Sequence, residues 1–200
     1  MVVATQNMIN VGLAELAVSK DSTDVLAVLG LGSCIALCAF DPVARVAGLA
    51  HMVLPRSRIE TEGLGIKVKY IETGVPWLLQ KMYRLGVRQS DLIIKITGGA
   101  RMLNIPGNNN ILDIGQKNIL QVKESLAKEG LKICAEDLGG AWGDQSVFMW
   151  KPEKSRLKPS TVVLLIYKRK RNKRRSLNGK NFGSRRCSIH ADALYKTTQR

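Results

Sequence analysis

Histidine is nearly absent from this chain. Of its 200 residues only His51 and His190 carry an imidazole, so ring chemistry in the body of the protein falls to His51. The four cysteines, Cys34, Cys38, Cys134 and Cys187, show no paired framework. That argues against a disulfide-stapled secreted domain, and free thiols are the default of a cytoplasmic chain. Cys34 and Cys38 also lack the second nearby pair of Cys or His ligands that a zinc site needs. Long apolar runs are missing too. The longest uncharged stretch, Val25 to Phe40, is shorter than a bilayer span and is broken by Gly30, Gly32 and Ser33. The first residues, "MVVATQNMINVGLAELAVSK", have no basic start followed by an apolar block and a cleavage site. The expectation is a soluble cytoplasmic protein.

What is present is a foldable body with a basic end. Two hundred residues suit one domain with a sizeable core. The net charge of +15 is concentrated: residues 168–200 hold twelve Lys and Arg against one acid, Asp192, leaving 19 basic and 15 acidic residues before them. We therefore divide the chain into a domain over 1–167 and a basic, disordered tail over 168–200. Such a run also offers nonspecific contact with nucleic acid or anionic lipid. Only two aromatics, Phe182 and Tyr195, fall within it, which leaves that signal weak.

Periodicity orders the body. Ile9 to Val18 alternates as a first strand. "DVLAVLGL" and "SCIALCAF" are apolar on both faces and read as buried strands joined at the glycine turn. "DPVAR" is a turn in which Asp41 bonds the backbone, and "VAGLAHMVLP" returns as a strand ending at Pro55. From about Lys67 the period becomes helical, with Ile71, Val75, Leu78, Leu79, Met82 and Leu85 on one face. Pro76 should kink that helix, and Gly86 should stop it. Leu92 to Thr97 is a strand ending at Gly98-Gly99, and Ile114 to Lys128 a second helix with Ile119, Val122 and Leu126 inward, closed by Gly130. "LKICAEDLGG", "QSVFMW" and "STVVLLIYK" supply the last strands. Two helices among seven or eight strands, in separate blocks, predict an α+β fold with the helices on one side of a sheet system.

Cys34 and His51 begin and end the two central strands, so a strand, a turn and a return strand could bring them to one edge. A thiol beside an imidazole is a potential nucleophile. Gly32 and Ser33 leave room for a substrate, and backbone N–H groups around Cys34 could form an oxyanion hole. Cysteine is also among the most buried residue types, and a strand-end histidine is commonly structural. Spacing alone leaves both readings open for this pair, and favours the structural one for Cys38, Cys134 and Cys187.

"LGLGSCIALCAFDPVARVAGLAHMVLP", Leu29 to Pro55, closely resembles the signature of the CheD family of chemoreceptor glutamine deamidases. "KYIETGVPWLLQKMYRLG", "ITGGARM", "IGQKN" and "AEDLGG" follow in the family's order, over roughly residues 8 to 150. The resemblance implies a layered α/β/β sandwich with a β-rich core. It implies a cysteine-dependent amidohydrolase acting on receptor glutamines through a thioester, with Cys34 as nucleophile and His51 as general base and acid, and with no cofactor or metal. It further implies the cytoplasmic domains of chemotaxis receptors and a CheC-type phosphatase as partners; the alternative to the enzyme is a non-catalytic chemotaxis adaptor that binds that phosphatase.

One departure stands at the site. The family commonly has a threonine six residues before the cysteine, completing a Cys-His-Thr triad, whereas here that position is Val28. Valine cannot hydrogen-bond the imidazole. A backbone carbonyl, Thr23 or Ser33 is left to orient the ring. A second departure follows Gly139-Gly140: a basic stretch usual in the family is replaced by "AWGDQSV", with Trp142, Asp144 and Gln145. Both glycine pairs read as turns, since neither continues into a phosphate loop. Glu136 and Asp137 are adjacent on a strand and so point to opposite faces.

Overall fold

A computed structural model of the chain describes residues 7–57, 67–101 and 113–140, together with the backbone of two strands at 145–152 and 162–169. Nine strands and two helices lie among the described residues: β1 (Asn7–Asn10), β2 (Leu16–Ser19), β3 (Asp24–Leu31), β4 (Ile35–Asp41), β5 (Val46–Met52), α1 (Ile71–Tyr83), β6 (Ile93–Gly98), α2 (Ile114–Lys128), β7 (Ile133–Leu138), β8 (Gln145–Pro152) and β9 (Val162–Arg169). They form a four-stranded sheet in the order β1-β3-β8-β9 and a five-stranded sheet in the order β2-β5-β4-β6-β7.

Alternation along β4 and β5 explains the layers. Ile35, Leu37 and Ala39, with Val46, Ala50 and Met52, join Ile71, Val75, Leu78, Leu79 and Met82 of α1 and Val122 and Leu126 of α2 in one core. Ala36, Cys38, Phe40, Ala47 and Leu49 point the other way, onto Leu26, Val28 and Leu31 of β3. Both faces of the five-stranded sheet are thus covered, which is why its central strands are apolar throughout. The arrangement is helix layer, sheet, sheet: the α+β sandwich expected, with both helices on one side.

The β4–β5 hairpin and α2 form where the sequence places them. Asp41 closes the hairpin turn by accepting from the N–H groups of Val43 and Ala44, 2.7 and 2.9 Å. Asp113 caps α2 by accepting from Gln116 N–H. Gly86, at φ +89, follows the end of α1. Pro76 is an interior residue of α1, which runs through it to Tyr83.

Two expectations need correction. Ile9 to Val18 is not one strand, because the chain turns at Gly12–Ala14, where Ala14 takes φ +61 and the Glu15 carboxylate accepts from Gly12 N–H. β1 therefore pairs with β3 in one sheet and β2 with β5 in the other. Nor do β3 and β4 pair as a hairpin: Gly30, at φ +76, sits in a register irregularity of β3, and the chain then crosses to the second sheet before Ile35. Of the basic tail, Lys168 and Arg169 are the last residues of β9; the rest, with Cys187 and His190, lies outside the described residues, as do Trp142 and Asp144.

Candidate active site

The register of the β4–β5 hairpin puts Cys34 and His51 on one face of the sheet. Ala36 pairs with His51 and Ile35 with Met52. Side chains alternate, so His51 shares the inter-sheet face with Ala36, and Cys34 lies two residues before Ala36 on that same face. The two are diagonal neighbours across the strand pair, a relationship that separates Cα atoms by about 7–8 Å and keeps long side chains within reach. Cys34 is half-buried against the inter-sheet core, and His51 is buried.

The imidazole is held from the crossover between the sheets. Its Nδ1 faces the Val11 carbonyl oxygen at 3.4 Å. A carbonyl only accepts, so Nδ1 carries the proton and Nε2 presents a lone pair. Nε2 is buried and has no hydrogen-bond partner among the described residues. Val11 is itself fixed, its N–H donating to Ala27 of β3 at 2.7 Å. The backbone of His51 is held on the same side: its N–H donates to the Glu15 carbonyl, and its own carbonyl accepts from Ala14 N–H, at 2.9 and 3.0 Å.

Val28 is fully buried in the inter-sheet core, and the ring's hydrogen-bond partner among the described residues is the Val11 carbonyl. Thr23 is not brought to the ring. It precedes β3 at the end away from Cys34, and its hydroxyl donates to Asp21 at 2.7 Å. Ser33 adjoins Cys34, and its carbonyl is held by Asn118 of α2.

Electrostatics leave the resting pair neutral. Burial pushes the Cys34 thiol above its ordinary range, against a smaller opposing effect of its own backbone N–H. Burial also pushes His51 below its ordinary value, partly offset by the Val11 carbonyl and the Glu15 charge. Both shifts favour the neutral thiol and the neutral imidazole over a thiolate–imidazolium pair. Cys38, fully buried and pushed up to about 12, is inert by comparison. Cys134 is exposed on β7. Among the described residues, no group of three or more His, Cys, Asp or Glu is placed to hold a metal ion.

Residues without a signal as site residues also shape the turn before Cys34. Gly98 and Gly99 have φ of +115 and +70, and a Cβ on Gly98 would collide with the Cys34 carbonyl. Gly99 N–H donates to that carbonyl, and Ala100 N–H to the Gly32 carbonyl, both at 2.9 Å. Gly98 ends β6, as the sequence suggests, and the end of that strand holds the Cys34 carbonyl. Thr97, in register with Ala36, spends its hydroxyl proton on the Asp137 carbonyl at 2.9 Å. Glu136, its side chain on the opposite face, pairs with Lys123. No helix among the described residues is long and apolar enough to cross a membrane.

A family model described as CheD chemotactic sensory transduction matches residues 53–158, which begin two positions after His51 and include Gly98, Gly99 and all of α2. A protein of Caldanaerobacter subterraneus subsp. tengcongensis named "Probable chemoreceptor glutamine deamidase CheD" is 40% identical over 136 residues, 68% of this chain and 83% of that one. One of Halalkalibacterium halodurans named "Chemoreceptor glutamine deamidase CheD" is 36% identical over 156 residues, 78% of this chain and 94% of the relative. A third, from Methanococcus vannielii, is 39% identical over 147 residues, 72% and 90% of the two chains.

Proposed function

Since the chain belongs to the CheD family, we propose that it deamidates glutamine side chains of chemotaxis receptors to glutamate, with Cys34 as nucleophile and His51 as general base and acid. The observation that carries the mechanism is the His51 ring. Its tautomer is set by the Val11 carbonyl, and its buried Nε2 lone pair is unpartnered on the sheet face that also bears Cys34.

The proposed steps use these two groups in turn. Nε2 takes the Cys34 proton as the sulfur attacks the amide carbon of the glutamine side chain. The tetrahedral intermediate collapses, and the imidazolium returns the proton to the departing nitrogen, which leaves as ammonia. Nε2 then deprotonates a water molecule, whose oxygen attacks the thioester. Collapse of the second intermediate releases glutamate and restores the thiol. The Val11 carbonyl stays on Nδ1–H throughout and is best used when the ring is charged.

The test is to incubate the protein with a receptor cytoplasmic domain carrying glutamines at its modification sites and to follow conversion by peptide mass spectrometry. Conversion that disappears in Cys34→Ala supports the deamidase. No conversion, on a receptor that another CheD protein modifies, overturns it.

One observation favours a second reading, a chemotaxis adaptor that binds a CheC-type phosphatase. The Cys34 thiol is pushed up and Val28 occupies the triad position, as a binding protein with weakened chemistry would tolerate. A pull-down that retains no CheC-type partner would sink that reading. Contact of the basic tail with anionic lipid or nucleic acid is a separate proposal, and binding that survives removal of residues 168–200 would refute it.

A further inference from the structure

We propose that Asn118 is the positioning residue of the site: its side-chain amide joins the chain just before Cys34 to the chain just after His51 and so sets the spacing of nucleophile and base. The proposal rests on the pairing of Cys34 with His51.

The β4–β5 ladder ends at Ile35 and Met52. Beyond that pair Asn118 takes over, its Nδ2 donating to the Ser33 carbonyl at 2.8 Å and to the Val53 carbonyl at 2.9 Å. Two carbonyls require two N–H donors on one atom, so the orientation of the amide is fixed by chemistry. The residue is fully buried, and its own Oδ1 has no partner among the described residues. An unsatisfied buried acceptor offsets much of what the two bonds contribute to stability. The effect of Asn118 is thus mainly geometric.

Its helix is seated firmly enough to act as a template. Gly115, three residues earlier on the same face of α2, lies where a Cβ would collide with the Gly99 and Ala100 carbonyls. Gly99 in turn donates its N–H to the Cys34 carbonyl. Backbone of α2 thus packs on backbone at Gly99 and Ala100, and Gly99 is bonded to the Cys34 carbonyl. Asn118 carries that seating across to the strand of the base.

The test is iodoacetamide alkylation of the full chain across pH, read residue by residue by peptide mass spectrometry. It compares the wild type with Asn118→Ala, Asn118→Asp, His51→Gln and the double variant Asn118→Ala/His51→Gln. Buried Cys38 reports any opening of the fold. The expected result is that Asn118→Ala slows Cys34 alkylation about 10- to 100-fold at neutral pH, with a pH profile that overlays that of His51→Gln. Asn118→Asp, which keeps the shape and loses the amide donors, repeats the loss. The double variant is no slower than His51→Gln alone, and Cys38 stays protected.

An unchanged Cys34 profile in both Asn118 variants overturns the proposal, as do losses that multiply in the double variant. Parallel exposure of Cys38 does so too, since Asn118 would then merely hold the fold. A His51→Gln variant that alkylates like the wild type removes the pairing on which the proposal stands. Alkylation needs no receptor, so failure of receptor deamidation is read separately.

Discussion

Nδ1 of His51 lies 3.4 Å from the carbonyl oxygen of Val11, forty residues earlier in the chain. The contact joins a strand of the five-stranded sheet to the segment arriving from the four-stranded one. It is long for an N–H···O bond, whose usual range ends near 3.2 Å. It orients the ring more than it stabilises the fold, and it becomes stronger when the ring is protonated.

That geometry makes a prediction about pH. Burial lowers the His51 pKa below 6.5 and raises that of Cys34 above 9.0. If the neutral ring is the base, kcat/KM should climb through a midpoint below 6.5 and stay flat through neutrality. The same shift has a stability consequence. His51 is harder to protonate folded than unfolded, so its contribution is complete above 6.5 and is lost as pH falls through the folded value. A rate profile centred above pH 7 would contradict this, and initial rates with receptor substrate or Cys34 alkylation rates would show it.

Glu15 separates charge from geometry. Its carboxylate accepts from Gly12 N–H at 2.9 Å, and its charge raises the His51 pKa. Glu15→Gln keeps an acceptor for Gly12 and removes the charge. The acid limb of the rate profile should move to lower pH, with the plateau within about twofold of wild type, given an exposed charge screened by solvent. Movement to higher pH would show that Glu15 acts by another route.

Val28→Thr asks whether the Val11 carbonyl is a sufficient replacement for a hydroxyl. Burying a hydroxyl between the sheets should cost about 1–3 kcal/mol. Turnover should stay within a few-fold of wild type, because the tautomer is already set. A gain beyond about tenfold, roughly 1.4 kcal/mol of barrier, would mean that the backbone carbonyl orients the ring poorly. Thermal melts and deamidation rates together decide it.

Gly98→Ala should disable the site. The residue sits at φ +115, and a Cβ would collide with backbone at Cys34, which neither a rotamer change nor a flexible neighbour can relieve. We expect a loss of stability above about 2 kcal/mol and a loss of Cys34 reactivity in whatever fraction folds. Gly139→Ala is the comparison: its φ of +82 carries the same kind of strain, but no atom of the described residues lies within 4 Å of its added Cβ. Its Cys34 should react normally.

Much of this was legible in the sequence, and the misses have physical causes. The β4–β5 hairpin follows from two apolar runs around "DPVAR", and with it the diagonal placement of Cys34 and His51. α2 was legible from its period alone. The break at Gly12–Ala14 was not, because apolar alternation continues on both sides of the turn while the strands join different sheets. The sequence allowed a backbone carbonyl as the ring's partner and carried Asn118 in "IGQKN", but pointed to neither Val11 nor the bridge that Asn118 makes. One acts through a backbone carbonyl that every residue has, and the other bridges positions 85 and 65 residues away, where local pattern carries no information.

Two of the crossings between sheets have a consequence for how the protein comes to be competent. Segment 11–15 supplies the partner of the ring, and the link from β3 to β4 delivers the nucleophile. The local hairpin alone would place Cys34 near His51, yet with a freely turning imidazole. Only when the four-stranded sheet closes over it is the tautomer fixed, and such long-range closure is the slow part of folding a β-rich chain. On the proposed mechanism, a half-folded molecule would bear Cys34 and His51 in the right register and remain chemically quiet until the sheets close.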